Sequence, residues 1–179
     1  MGHLRPPTVS PPPLRPLRTH DIARVQQIER EAGQAFREVG LPAIADDDPY
    51  DVDELEAYIA SGRGWVIEDE PDHPLGYVVV DVLDGAAHVE QVSVDPTASG
   101  RRLGRALLDH VAQWARTEGL AGVTLTTFRD VPWNAPYYER LGYRVLAEHE
   151  LGSELVGRRD HEAFEGLDPR LRVCMRRDL

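Results

Sequence analysis

Residues 88–106 constrain the fold of this chain more than any other segment does. They read HVEQVSVDPTASGRRLGRA, in which alternating side chains predict a strand, Asp95-Pro96 predicts a turn, and a glycine- and arginine-rich loop opens an amphipathic helix. Alternation at 123–127 predicts a second strand after that helix. Because a strand, a crossover helix and a strand form a right-handed parallel unit, two neighbouring strands of the sheet are predicted to be parallel.

The segments before this unit predict antiparallel strands. Strands are expected at 64–68, 76–83 and 87–94, and Asp84-Gly85 is a strong hairpin signal between the last two. Helical spacing of apolar residues and capping signals predict helices at 21–39, 51–60, 103–118, 132–141 and 153–164, with further strands at 14–17, 143–148 and 170–176. The sequence therefore predicts an α/β (α+β) fold with a mixed, mostly antiparallel sheet of about 6–7 strands flanked by helices.

Composition narrows the class of protein. The 179 residues predict one domain at 14–179, preceded by a Pro-rich extension at 1–13. A net charge of −11 argues against a nucleic-acid binder, which needs clustered Lys and Arg, and fits a cationic partner better. No apolar run is long enough to cross a membrane, and the N-terminus lacks the apolar stretch of a secretory signal, so a cytoplasmic location is expected.

The loop at 100–105 has the features of a phosphate-binding site. Free backbone N–H groups at a helix N-terminus, with Arg101, Arg102 and Arg105 beside them, favour phosphate. A nucleotide P-loop is excluded because Gly104 is followed by Arg and Ala rather than Lys and Ser or Thr. The dinucleotide fingerprint needs three glycines, and only two are present.

The loop and a second segment, WNAPYYERLGY at 133–143, together resemble the GNAT superfamily of acyl-CoA-dependent N-acetyltransferases. The family loop reads Gln or Arg, two residues, Gly, one residue, then Gly or Ala. The preferred alignment puts Ser99, Arg102 and Gly104 at those positions, and an alignment shifted by two residues gives Arg101, Gly104 and Ala106. The downstream segment is similar to the family pattern Asn-x-x-aromatic-Tyr-x-x-x-Gly-aromatic.

The resemblance implies a GNAT-like fold, acetyl-CoA as the acyl donor and no metal. It implies that Tyr138 is the general acid for the CoA sulfur, with a half-buried structural role, shared with Tyr137, as the alternative. Asn134 is implied either on the pantetheine arm or at a helix N-cap. Residues implied to contact acetyl-CoA lie at the end of the central strand and in the loop: Val92, Ser93, Val94, Gly100, Arg101, Arg102, Leu103, Gly104 and Arg105. No nucleophile elbow surrounds Ser93, so an acyl-serine mechanism is not expected.

Two residues are candidates for the base that accepts the amine proton. The two-residue period of a strand puts His88 and Glu90 on one face, leading into the presumed site. A structural hydrogen bond within the sheet is the alternative for either residue. Glu90 is preferred because it lies nearer the presumed thioester.

The acceptor is expected to be a primary amine on a small molecule or a peptide, and a cationic compound fits best. In the family, the first two helices, their connecting loop and late strand loops line the substrate site, which makes Glu31, Phe36 and Trp133 candidates together with the acidic residues Asp46, Asp47 and Asp48. A solvated acidic turn is the alternative for those aspartates. The resemblance implies N-acetyl transfer by direct attack in a ternary complex. A non-catalytic acyl-CoA sensor is the alternative function. The resemblance also allows a homodimer, because family members are often dimers.

Overall fold

The computed structural model describes residues 12–179, so most of the expected extension at 1–13 lies outside the described residues. Within this part, seven strands form one sheet in the order β1-β2-β3-β4-β5-β7-β6. The strands are β1 Leu14–Pro16, β2 Gly64–Glu70, β3 His73–Leu83, β4 Ala86–Val94, β5 Gly122–Phe128, β6 Arg144–Val145 and β7 Arg172–Asp178. The helices are α1 Ile22–Gly33, α2 Pro42–Ala45, α3 Val52–Ser61, α4 Leu103–Thr117, α5 Ala135–Arg140 and α6 Ser153–Phe164.

The sheet is mixed, as the sequence predicts. The pair β4–β5 is parallel, and every other neighbouring pair is antiparallel. Asp84 and Gly85 both have positive φ, at 49° and 72°, which is the backbone of a two-residue hairpin turn that follows strand twist. The predicted hairpin between β3 and β4 is therefore confirmed.

Helices cover both faces of the sheet because each carries an apolar stripe. On one face, α4 buries Leu103, Leu107, Leu108 and Val111 in the larger apolar cluster. On the other, Val25 of α1 and Leu55 of α3 pack with side chains of β2 and β3. With both faces covered, the remaining opening for a ligand lies where strands separate within the sheet.

Such a separation occurs between the two parallel strands. β4 and β5 pair only over Ala87–Val89 and Val123–Leu125, and the strands diverge beyond them. On its other side β4 pairs with β3, but Val80 pairs with Val89 and Val79 with Gln91, which leaves Glu90 as the extra residue of a β-bulge. A bulge bends its strand, and here it coincides with the start of the gap.

Two predicted elements differ from the structure. The helix expected at 21–39 ends as an α-helix at Gly33 and continues as 3-10 turns over Gln34–Val39 before Gly40, whose φ is 77°. The strand expected at 143–148 is reduced to Arg144–Val145. Within residues 12–179, no helix is both long enough and apolar enough to cross a membrane.

Helix α6 is fixed to the sheet by the β3–β4 hairpin. The Asp84 carboxylate accepts hydrogen bonds from the backbone N–H of Glu154 at 3.2 Å and of Leu155 at 2.9 Å. A carboxylate in this position satisfies N–H groups that have no acceptor within the helix. Gly152 lies directly against the same carboxylate, so a Cβ at this position would overlap it.

We expect opposite effects from alanine at the two glycines of this region. Gly152→Ala should lower the free energy of unfolding by about 1–3 kcal/mol, because its Cβ displaces Asp84 from the helix N-terminus. Gly157→Ala should raise it by about 0.5–1 kcal/mol, because Gly157 lies within α6 with no atom near its Cβ position. Urea denaturation measures both; equal changes would contradict this docking of α6.

Candidate active site

A cleft of about 1320 Å³ follows the gap between β4 and β5. The start of α4 and the loop before it line one part of the cleft, and α5 lines another. Residues of α1, α3 and α6 line the remainder. The cleft therefore connects the predicted phosphate loop with the predicted acceptor region.

The loop before α4 leaves backbone donors available. Gly100 and Arg102 both have left-handed backbone, with φ of 80° and 60°, and α4 begins at Leu103 without a side-chain cap. The N–H groups of Leu103, Gly104 and Arg105 thus have no acceptor within the helix. Free donors at the positive end of a helix dipole form a site for an anion.

The cationic side chains of the loop have different surroundings. Arg101 binds Asp69 at 2.9 Å and does not line the cleft, whereas Arg102 and Arg105 do. Arg105 also lies 3.5 Å from Asp109, one turn along α4. Gly104 packs against Tyr137, since a Cβ there would lie 3.2 Å from the Tyr137 hydroxyl.

The left-handed conformation of Arg102 leads to a stability prediction. Arg102→Gly should be more stable than Arg102→Ala by about 1 kcal/mol, because glycine adopts positive φ without the steric penalty of a Cβ. Both variants remove the same guanidinium, so we expect them to lose affinity for a phosphate-bearing ligand to a similar extent. Denaturant unfolding and calorimetric titration measure the two effects separately; equal stabilities would contradict this loop conformation.

The gap exposes one edge of β4. Beyond Val89 that edge has no partner strand, so backbone groups between Glu90 and Val94 remain available to a ligand. Val92, Ser93 and Val94 all line the cleft. The Ser93 hydroxyl accepts a hydrogen bond from the Gln91 amide at 3.0 Å, and among the described residues no His or carboxylate bonds to it.

Tyr138 lies on α5 and is 9% exposed. Its ring packs against Tyr137 and Tyr143, with centroids 5.5 and 5.8 Å away. Burial raises the pKa of Tyr138 above its ordinary value, so the hydroxyl keeps its proton at neutral pH and can donate it. Asn134 occupies the N-cap position of α5, yet its side chain makes no capping hydrogen bond and also lines the cleft.

The two candidate bases are placed differently. Glu90 lines the cleft with a side chain that is 6% exposed, and burial raises its pKa to about 7 although the Arg158 guanidinium beside it acts in the opposite direction. His88 lies outside the cleft lining, with its Nδ1 2.9 Å from the Thr124 hydroxyl. Burial lowers the pKa of His88 to about 4, so its ring is neutral at physiological pH.

The predicted acceptor residues divide into two groups. Phe36 and Trp133 line the cleft and lie 5.7 Å apart, centroid to centroid. Asp47 and Asp48 also line it. Asp46 instead pairs with Arg37, and Glu31 accepts a hydrogen bond from Gln27 at 2.8 Å, both outside the cleft lining.

Sequence reasoning missed several residues that line the cleft. They are Glu29, Tyr50, Tyr58, Arg158, Glu162 and Arg172. Glu29 had a detectable signal, because it follows Ile22 and Val25 at helical spacing and so places a carboxylate on the buried face of α1. Burial raises the pKa of Glu29 to about 7, and the Tyr77 hydroxyl donates a hydrogen bond to it.

The loop before α4, the gap between β4 and β5, and Tyr138 all lie within a segment whose sequence matches a known protein family. A profile of the Acetyltransferase (GNAT) family matches residues 25–143. The chain belongs to this GNAT family. Among residues 12–179, no group of three or more His, Cys, Asp or Glu side chains is arranged to hold a metal ion.

Solved GNAT structures share the fold. An acetyltransferase of the GNAT family from Staphylococcus aureus superposes with a TM-score of 0.71 at 16% identity, covering 93% of this chain and 98% of that one. The PaiA N-acetyltransferase of Thermoplasma acidophilum in complex with coenzyme A gives 0.66 at 14%, covering 93% and 98%. N-acetylglutamate synthase of Neisseria gonorrhoeae, complexed with coenzyme A and N-acetyl-glutamate, gives 0.69 at 18%, covering 93% of this chain but 35% of that one. The present chain thus spans about a third of the length of the gonococcal synthase.

Proposed function

We propose that this chain transfers the acetyl group of acetyl-CoA to a primary amine by direct attack in a ternary complex. The observation that carries the proposal is the single cleft that joins the uncapped start of α4, the open edge of β4 and the two ionisable residues Tyr138 and Glu90. An anion site, an unpaired strand edge and a proton donor and acceptor are the elements that this reaction needs.

Acetyl-CoA is proposed to bind along the loop and the open strand edge. The N–H groups from Gly100 to Arg105 take the pyrophosphate, and the Arg102 and Arg105 side chains add positive charge. The pantetheine arm extends beside Val92–Val94 and the Asn134 amide. Its polar groups take the place of the missing partner strand along this edge of β4. The thioester then lies in the gap, with a backbone N–H of β4 available to its carbonyl oxygen.

The reaction follows from the opposite protonation states of two residues. Glu90 accepts a proton from the ammonium form of the acceptor, directly or through water, and the amine nitrogen forms a bond to the thioester carbon. The nitrogen loses its second proton to water, the carbon–sulfur bond breaks, and sulfur takes the bonding electron pair. Tyr138 donates its proton to that sulfur and regains a proton from solvent. Ser93 forms no covalent intermediate in this scheme, because no described base activates its hydroxyl.

A cationic acceptor is favoured by the other end of the cleft. Glu29, Asp47, Asp48, Glu90 and Glu162 line this region together with Tyr50 and Tyr58. Arg158 and Arg172 lie in the same region, but each is paired with a carboxylate, Arg158 with Glu90 and Arg172 with Glu162. Carboxylates and tyrosine rings together attract an ammonium group. Residues 14–179 are proposed to act as one domain; a homodimer and a cytoplasmic location stay predictions.

A panel of amines tests the proposal. Acetyl-CoA is mixed with the protein and a diamine, an amino acid or a short peptide, and released CoA thiol is measured alongside the mass of the acetylated product. We expect equal amounts of thiol and acetyl-amine for at least one primary amine, and none for a tertiary-amine control. Tight acetyl-CoA binding without thiol release on any amine would instead support a non-catalytic sensor.

A further inference from the structure

Helix α6 carries a side chain that reaches the proposed base. We propose that Arg158 is a positioning residue, which holds the Glu90 carboxylate at the mouth of the gap and favours its ionised form. The inference rests on the proposed function, in which Glu90 accepts the amine proton. Arg158 lies outside residues 25–143, the segment that matches the family profile.

The Arg158 guanidinium joins two strands at the bulge. Its Nη1 contacts Glu90 Oε1, and its Nη2 donates to Asp81 Oδ2 at 3.0 Å. All three side chains are largely buried, with exposures of 27% for Arg158, 6% for Glu90 and 24% for Asp81. A planar guanidinium that binds two carboxylates has a fixed orientation, and it fixes theirs in return.

Glu90 has few other contacts that could orient it. As the extra residue of the bulge it lacks a directly opposed partner on β3. Apart from the ion pair with Arg158, its Oε1 has no hydrogen-bond partner within the described part of the chain. His88 Nε2 lies 4.0 Å from that oxygen, and its ring is neutral at physiological pH. Arg158 is therefore the charged group that sets the position of this carboxylate.

The charges around Glu90 oppose one another. Burial favours the neutral carboxyl and raises its pKa, Arg158 favours the ionised form, and the Asp81 and Glu162 charges again favour the neutral form. Burial raises the pKa values of Tyr50 and Tyr58, and the nearby Glu90 charge raises them further. The groups that surround Glu90 are His88 of β4, Asp81 of β3, Arg158 and Glu162 of α6, Tyr58 of α3 and Tyr50 of the loop before α3. Arg172 of β7 pairs with Glu162 and so acts on Glu90 indirectly.

Variants of Arg158 and of its second carboxylate partner, Asp81, should shift the pKa of Glu90 in opposite directions. Arg158→Gln removes a positive charge, so the pKa of Glu90 rises. The acid limb, which is the fall of kcat/KM for the amine at low pH, then moves up by about one pH unit. Asp81→Asn removes a negative charge, so the pKa of Glu90 falls and the limb moves to lower pH. A purely structural role of α6 predicts no such opposition of sign.

Two controls separate charge from folding. Arg158→Lys retains the charge, so its acid limb should return toward that of the wild type. Arg159→Gln removes an arginine from the same helix, but this arginine pairs with Glu148, and the limb should stay in place. The ionisation of Glu90 is also read without turnover, by NMR titration of its ¹³C-labelled side-chain carboxyl, assigned by comparison with Glu90→Gln.

The outcomes distinguish this inference from the proposed function. Opposite shifts for Arg158→Gln and Asp81→Asn, with Arg159→Gln unchanged, support it. An unchanged Glu90 titration in Arg158→Gln, or equal shifts in Arg158→Gln and Arg159→Gln, would overturn it. Shifted titrations in a protein that acetylates no amine would overturn the proposed function and leave the control of Glu90 by Arg158 standing.

Discussion

Replacing Tyr138 by phenylalanine should lower kcat by roughly 10²-fold or more, the usual contribution of a positioned general acid, while acetyl-CoA binds almost as tightly as before. The variant keeps the ring that packs between Tyr137 and Tyr143 and removes only the hydroxyl. The departing thiolate then loses the proton that Tyr138 would donate. Steady-state kinetics with a reactive amine and calorimetric titration with CoA measure the two effects.

Tyr143→Phe is the matched control for this prediction. Tyr143 is also buried, its ring contacts Tyr138, and its hydroxyl has no hydrogen-bond partner among the described residues. Burial raises the pKa of Tyr143 to about 12, so it too is protonated at neutral pH. It does not line the cleft, and we expect its variant to retain turnover. Equal kcat values for wild type and Tyr138→Phe would remove Tyr138 from the role of acid.

Replacing Glu90 by glutamine should produce a second large loss, on the order of 10²-fold in kcat/KM near pH 7.5. The pH dependence is the more specific result. The pKa of the Glu90 carboxyl is raised to about 7, so in the wild type the ionised base is lost as the pH falls through 7 and kcat/KM falls with it. Glu90→Gln should abolish that acid limb, leaving activity that rises only at alkaline pH as free amine becomes available.

Glu29→Gln provides the comparison for this pH profile. The pKa of Glu29 is raised by burial to about 7 as well, and Glu29 also lines the cleft, but its carboxylate is engaged as the acceptor of a hydrogen bond from the Tyr77 hydroxyl. We expect the acid limb to persist in Glu29→Gln. If the limb disappears there and persists in Glu90→Gln, Glu29 is the base.

The same profile tests His88, the other residue that the sequence offered as a base. Burial lowers its pKa to about 4, so a limb caused by His88 would lie near pH 4 rather than near 7. Its Nδ1 is also engaged with Thr124 inside the sheet. The two-residue period of β4 predicts His88 and Glu90 on one face, and the two side chains do approach to 4.0 Å, but only Glu90 lines the cleft.

The bulge shows which parts of the fold local patterns can predict. Helix α6 was expected at 153–164 and spans Ser153–Phe164, because its apolar spacing and its start are local properties. The hairpin at Asp84-Gly85 and the parallel pair β4–β5 also depend on short segments and on chain handedness. The extra residue in β4 depends on how β3 pairs with it, and no local signal reveals that register.

The candidate site likewise combines residues that local motifs reveal with residues that only long-range contacts bring together. The loop at 100–105, Asn134 and Tyr138 lie in two compact motifs, and all of them except Arg101 line the cleft. Arg158 reaches Glu90 only because Asp84 holds the start of α6 from a position 70 residues earlier in the chain. Asp46 was grouped with Asp47 and Asp48 by sequence, but its pairing with Arg37 depends on where the turns after α1 end.

A crystal structure of the protein with bound CoA tests the central claim most directly, because it locates both the pyrophosphate and the sulfur. The account predicts pyrophosphate oxygens on the N–H groups between Gly100 and Arg105, and a sulfur atom within about 3.5 Å of the Tyr138 hydroxyl or one water away from it. CoA bound with its pyrophosphate away from that loop, or with its sulfur outside the gap between β4 and β5, would contradict the account.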